Sequence, residues 1–161
     1  MSIRVNPRGS RGARVPTRGP LAKLFKLVGQ QQIRSYRRSG DKRLSKRMGF
    51  PVVLLTTRGA KSGQMRTTPV GGFPDGENAW LVVASLAGAA RHPAWFLKMA
   101  AHPNDISLEV GHDRFSVRAN SLEGEERDEA LARVAAIAPR YGKYQQKTDR
   151  EIPIVRLTRE Q

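Results

Sequence analysis

Leu54-Leu55-Thr56-Thr57-Arg58-Gly59-Ala60-Lys61-Ser62-Gly63-Gln64-Met65-Arg66-Thr67-Thr68-Pro69-Val70 reads as a strand, a turn and a returning strand. The apolar run that begins at Val52 has the β-branched and aliphatic character of a buried strand. Gly59 and Gly63 give the backbone freedom that a short, sharp connection needs. Arg58, Lys61 and Arg66 place three positive charges within nine residues, and Thr57, Ser62, Thr67 and Thr68 add hydroxyls. A tip of this kind can hold an anion, because cations and free backbone N–H groups converge on it. The residues fit a solvated basic turn equally well.

Outward from this hairpin, four further strands are expected, at 79–84, 106–110, 114–121 and 152–158, beside 52–57 and 65–72. Ile106, Leu108 and Val110 alternate with polar or small residues, as do Phe115, Val117 and Ala119, the pattern of half-buried antiparallel strands. Pro74 to Asn78 is expected to turn, as is Gly111-His112-Asp113. One helix is expected from Pro93 to Pro103 and another from about Gly124 to Ala138, with Leu131, Val134, Ala135 and Ala138 as its buried stripe. The fold class is α+β, mainly β: an antiparallel barrel or strongly curled sheet of about six strands, its openings covered by helices.

The chain has 161 residues, enough for one well-cored domain. It has no Cys, which excludes disulfides and thiolate chemistry and fits a reducing cytoplasm. No run of 18 apolar residues is present to span a bilayer. Residues 1–50 carry 14 Lys/Arg against one acid, Asp41, a net +13; residues 51–161 carry 15 against 13, a net +2. The charge therefore belongs to an N-terminal region that seeks polyanions. Residues 1–20, with five Arg and three Pro, are expected to be a disordered arm whose removal leaves turnover intact. Residues 21–50 are a basic helical region, and 51–161 are the body. Leu21, Leu24, Phe25 and Val28 fall on one helix face, with Lys23, Lys26, Arg34, Arg37 and Arg38 on others. Such a helix either lies on an anionic membrane or packs its apolar face on the body.

Hydrolytic, metal and Rossmann signatures are missing. His92, His102 and His112 lack ligand spacing, and the residues around Lys61 lack the length of a phosphate loop. Two other stretches are suggestive. Val83, Ala84, Ser85 and Leu86 end a strand in small residues, where a flat ligand can approach the backbone, or where a tight structural turn forms. Tyr141 and Tyr144 either stack on a planar substrate and donate to a reducible oxygen, or are ordinary packing residues.

Leu54 to Val70, Val83-Ala84-Ser85, His92-Pro93-Ala94-Trp95-Phe96, Ala101-His102-Pro103, Gly124-Glu125-Glu126-Arg127, the two tyrosines, and Thr148-Asp149-Arg150-Glu151-Ile152-Pro153 occur in the order found in one family. Over about residues 20–160 the chain resembles the deazaflavin-dependent nitroreductase family of actinobacteria, F-420H2-dependent quinone and nitro reductases. The resemblance implies a split β-barrel like that of FMN-binding reductases, coenzyme F-420 as cofactor, and hydride transfer to a planar quinone, enone or nitroaromatic acceptor. It implies that Ala60, Lys61, Ser62, Arg66, Thr67, Thr68, Pro69, Val70 and Gly71 run beside the coenzyme, with Lys61 and Arg66 near its acidic side. Val83, Ala84, Ser85 and Leu86 would face the deazaflavin ring. Ala94, Trp95, Phe96, Leu97 and Lys98 would lie on the helix that closes the pocket, and Tyr141 would border the coenzyme. Ser85, Tyr141 and Tyr144 are the candidate catalytic residues. A third aromatic of the family's pattern is Ala138 here, which weakens the case for nitroimidazole reduction. The implied location is the cytoplasm, with the basic helix bringing the enzyme to the inner face of the membrane. The competing classes are a nucleic-acid-binding module that uses the basic arm, and a non-catalytic lipid or cofactor carrier on the same fold.

Overall fold

The computed structural model describes residues 3–161. In chain order the elements are α1 (Gly19–Ser39), α2 (Asp41–Met48), β1 (Val52–Arg58), β2 (Met65–Gly71), β3 (Phe73–Pro74), β4 (Ala79–Val83), α3 (Ala94–Ala101), β5 (Ser107–Val110), β6 (Asp113–Ser121), α4 (Gly124–Ile137), α5 (Arg140–Lys147) and β7 (Ile154–Arg159). The strands form one antiparallel sheet in the order β2-β1-β5-β6-β7-β4-β3. The six expected strands are present. The seventh, β3, is two residues long and sits at an edge, where Pro74 needs no N–H partner. A helix between Arg140 and Lys147 was not expected, because the polar run Arg140 to Lys147 has little apolar periodicity.

The sheet is buried on both faces, and the alternation of β1 divides its side chains between two cores. Val52 and Leu54 join Tyr36, Leu44, Phe73, Val134 and Tyr141, packed under α1, α2, α4 and α5. Val53 and Leu55 join Phe96, Met99, Leu108, Val117 and Leu157, packed under α3. This is why Val52 to Leu55 reads as a continuous apolar run rather than an alternating one. The buried line of α4 runs through Arg127, Ala130 and Val134; Leu131 and Ala135 are only partly covered. Arg127 replaces the apolar residue a stripe would call for, and it donates to the Ile152 carbonyl at 2.8 Å.

Two expectations for the N-terminal region are answered differently. Residues 1 and 2 lie outside the described residues. Residues 3–18, expected to be disordered, run along the body instead: the Arg4 N–H donates to Ser121 Oγ, Gly9 N–H to Ala90 O, and Ala13 N–H to Gly88 O. Composition suggested disorder because the arm has no core to bury. It is held by backbone pairing and by single polar contacts such as Asn6 to Glu151 O and Ser10 to Asp149, which composition does not reveal. In α1 the C-terminal half is anchored. Buried Tyr36 donates its hydroxyl proton to Glu109 O and accepts from the Gly111 N–H. Leu21, Leu24, Phe25, Leu27 and Val28 remain about half exposed, so the apolar stripe does not pack on the body.

Candidate functional site

The start of β1 and the C-terminal ends of β2 and β4 open onto a cleft of about 430 Å³, within the range of small-molecule sites. Thr68, Pro69, Val70 and Gly71 form one wall, and Val83, Ser85, Leu86 and Ala87 another. Pro93, Ala94, Trp95 and Lys98 come from α3 and the residue before it, Arg140, Tyr141 and Tyr144 from α5, and Gln32, Leu44, Met48, Phe50 and Val52 complete the lining.

Local periodicity explains which residues reach the cleft. On α3, Ala94, Trp95 and Lys98 share one face. Phe96 and Met99 point into the core and are fully buried, and Leu97 faces solvent. At the end of β4, Val83 and Ser85 face the cleft while Ala84 is buried in the other core. Phe96, Leu97 and Ala84 are therefore near the cleft but do not line it. On the hairpin, Ala60, Lys61 and Ser62 sit at the exposed tip and Arg66 on exposed β2, outside the cleft lining. Thr67 turns away, pairing its hydroxyl with that of Thr56 at 2.8 Å. Ala138 is buried in the core beside Tyr141 rather than lining the cleft, so its small size does not widen it.

The cleft has two electrostatic features. Lys98 is partly buried, and burial first and the Arg66 cation second draw its pKa below the usual lysine range. Among the described residues, Arg66 makes a hydrogen bond only to neutral Gln64. Among the described residues no carboxylate forms an ion pair with either cation. Lys98 in the cleft wall and Arg66 close enough to perturb it are uncompensated like charges, which suit an anionic group. The second feature is Tyr141. Its ring packs edge-on against Phe50, Phe73 and Tyr144, and it is 7% exposed. Burial pushes the phenol up to about 12, with Tyr144 adding and Arg140 opposing. Its hydroxyl lies where a Cβ on Gly71 would stand 2.5 Å away, so Gly71 must be glycine for the phenol to sit there. No acceptor within the described residues takes its proton.

Several contributors were not expected. Leu44 and Met48, four apart in a basic segment, were a legible apolar pair, and Phe50 before the first strand was another signal. Pro93, Ala87 and Gln32 carried none. Arg150, quoted only as part of a motif, is 1% exposed and has no acidic partner among the described residues. It donates to Ala84 O (3.0 Å), Ser85 O (2.9 Å) and Ala89 O (3.0 Å), and to His92 Nδ1 (3.0 Å).

The sequence profile of the F-420H(2)-dependent quinone reductase family matches residues 28–159. An F-420H(2)-dependent quinone reductase of Mycobacterium tuberculosis is 42% identical over 114 residues, 68% of this chain and 74% of that one. A solved F-420-H2 dependent reductase (FDR-A) superposes with a TM-score of 0.60 at 36% identity, over 66% of this chain and 92% of that one. A solved domain-swapped dimer superposes at 0.62 and 32% identity, over 83% and 98%. The chain therefore belongs to the F-420H(2)-dependent quinone reductase family and is an F-420-dependent oxidoreductase built on a curled antiparallel sheet.

Proposed function

We propose that the cleft holds the deazaflavin of F-420 and brings a quinone-type acceptor against it. The observation that carries this reading is a cleft that holds the Tyr141 phenol, with no protein acceptor for its proton among the described residues, beside cations that form no ion pair there: Lys98 and Arg140 in the lining and Arg66 next to it. The residues fit the group: Arg66 and Lys98 would take its acidic side, with Lys61 nearer the hairpin tip, and the small residues Gly71, Ala87 and Ala94 leave room for a flat ring. Reduced F-420 supplies a hydride from ring carbon C5. The protein excludes water with Trp95, Tyr141 and Tyr144 and orients the acceptor. Ser85 and Tyr141 would donate hydrogen bonds to an acceptor oxygen as negative charge grows there. A phenol pushed up to about 12 keeps its proton, so Tyr141 polarises and the hydroquinone's proton comes from solvent. Titration with oxidised F-420, followed by its fluorescence, tests the cofactor. Anaerobic oxidation of reduced F-420 by a soluble quinone tests the reaction. Saturable binding and turnover are expected; neither, in folded protein, sinks the reading.

The exposed stripe of α1 supports a peripheral contact with an anionic membrane. Leu21, Leu24, Phe25, Leu27 and Val28 stay in water, Lys23 and Lys26 flank them, and the described part of α1 has no acid. Among the described residues no helix is long and apolar enough to cross a membrane. Co-sedimentation with anionic vesicles, released by salt and abolished by Leu24→Glu plus Phe25→Glu, is the expected result. Equal sedimentation of that variant refutes the contact.

A further inference from the structure

We propose that Arg150 and residues 6–13 of the N-terminal arm form a clamp that positions the cleft wall at Ser85, a role that rests on the redox reading above. The wall is a turn under strain. Leu86 and Ala87 have φ of 43° and 54°, the left-handed region that residues with a Cβ disfavour. Such a conformation persists only where its surroundings enforce it. From inside, the Arg150 guanidinium uses four of its five N–H donors on Ala84, Ser85, Ala89 and His92. From outside, the arm takes the same turn by its backbone: Gly9 N–H donates to Ala90 O and Ala13 N–H to Gly88 O, each at 2.9 Å. His92 joins the two halves, since its Nδ1 faces Arg150 and its Nε2 faces Asn6 O at 2.6 Å.

The fit of the arm is specific. A Cβ on Gly12 would stand 2.4 Å from Ala90 N and 2.7 Å from Gly88 O, and a Cβ on Gly9 would stand 2.6 Å from Asp149 Oδ1. Asp149 accepts from the Ser10 and Arg11 N–H groups and the Ser10 hydroxyl, and Thr148 Oγ1 donates to Arg11 O, so the residues beside Arg150 anchor the arm as well. A merely electrostatic tail would need none of this. The arm precedes residue 28, where the family match begins, so the outer half of the clamp lies outside that match.

The test compares the full chain with a protein lacking residues 1–13 and with Gly12→Val, which keeps the arm's length but blocks its approach. Hydrogen exchange of the amides at 85–91 is read beside those of β1, which report global folding. In both variants exchange at 85–91 is expected to rise at least tenfold while β1 stays protected. The kcat for quinone reduction is expected to fall about tenfold with the F-420 dissociation constant changed less than threefold, because Arg66 and Lys98 are untouched. A synthetic peptide of residues 3–16 should restore turnover to the truncated protein. Unchanged exchange at 85–91 overturns the clamp, and raised exchange with unchanged kcat overturns its positioning role. If the full chain itself does not oxidise reduced F-420, the redox reading fails while the exchange data still decide the clamp.

Discussion

Replacing Tyr141 by Phe removes one oxygen and separates two explanations of that residue. The ring lies among Phe50, Phe73 and Tyr144, and Phe keeps all three edge contacts. The hydroxyl gives no proton to any acceptor among the described residues, so folding loses no hydrogen bond. Stability should therefore change by no more than about 0.5 kcal/mol, the range of a substitution that breaks no named interaction. Activity should respond differently. A donor aimed at an oxygen that gains charge in the transition state contributes up to about 3 kcal/mol in a closed site. This cleft is partly open, so about 1.4–2.8 kcal/mol, a 10–100-fold loss of kcat, is expected. Gly71→Ala provides a second arm, because its Cβ would meet the phenol oxygen at 2.5 Å. That substitution should cost less in the Tyr141→Phe background than in the native protein, a coupling that a double-mutant cycle reads directly. The assay is anaerobic oxidation of reduced F-420 by a soluble quinone, with urea unfolding in parallel. A variant retaining kcat within twofold refutes the donor role. A variant destabilised by more than about 1 kcal/mol shows that the hydroxyl already has a structural partner.

Arg66→Ala and Lys98→Ala should each raise the F-420 dissociation constant about tenfold, as loss of one charge-assisted contact does, and flatten its salt dependence. Lys61→Ala should do less; the reverse order would relocate the anion site to the hairpin tip. His92 has its pKa lowered by burial first, opposed by the Asn6 carbonyl and helped by the Arg150 cation. Its folded value lies below the unfolded one of about 6.5. Its contribution is thus fully present above that value and is lost as pH falls through the folded pKa. Urea unfolding at pH 7 and pH 5 should show a smaller pH effect for His92→Gln, and identical slopes would contradict the neutral tautomer. For Asp75, burial raises the pKa but hydrogen bonds from Arg156 and Arg133 outweigh it, so the net shift is downward. Asp75→Asn should cost about 1–2 kcal/mol at neutral pH in urea unfolding, because it weakens the tie of the β3–β4 turn to α4 and β7. The native protein should lose this increment as pH falls through the lowered pKa of Asp75, and an Asn variant of equal stability at pH 7 would refute it.

The strands were legible because their signals are local. Val52 to Leu55 and the alternation around Leu108 and Val117 announce buried strands wherever the chain goes next. The cleft's α3 wall was half legible: the helix was readable, but placing Phe96 and Leu97 on the cofactor side required knowing which face of α3 meets the sheet. The arm was misread for a related reason. Its anchors are backbone groups, two glycines and scattered polar side chains such as Asn6, Ser10 and Arg11, and no periodicity marks a segment held that way.

From the residues alone came the antiparallel sheet, the concentration of positive charge in the first 50 positions, and, through the ordered motifs, the deazaflavin assignment. The first two rest on short-range pattern and composition, and the third on a resemblance to a known family. Only the folded chain paired Lys98 with Arg66, set the Tyr141 oxygen against Gly71, and joined Arg150 to the carbonyls of Ala84, Ser85 and Ala89. Those partners lie 32, 70 and more than 60 positions apart, and the contacts and fields between them exist only once the curled sheet brings them together.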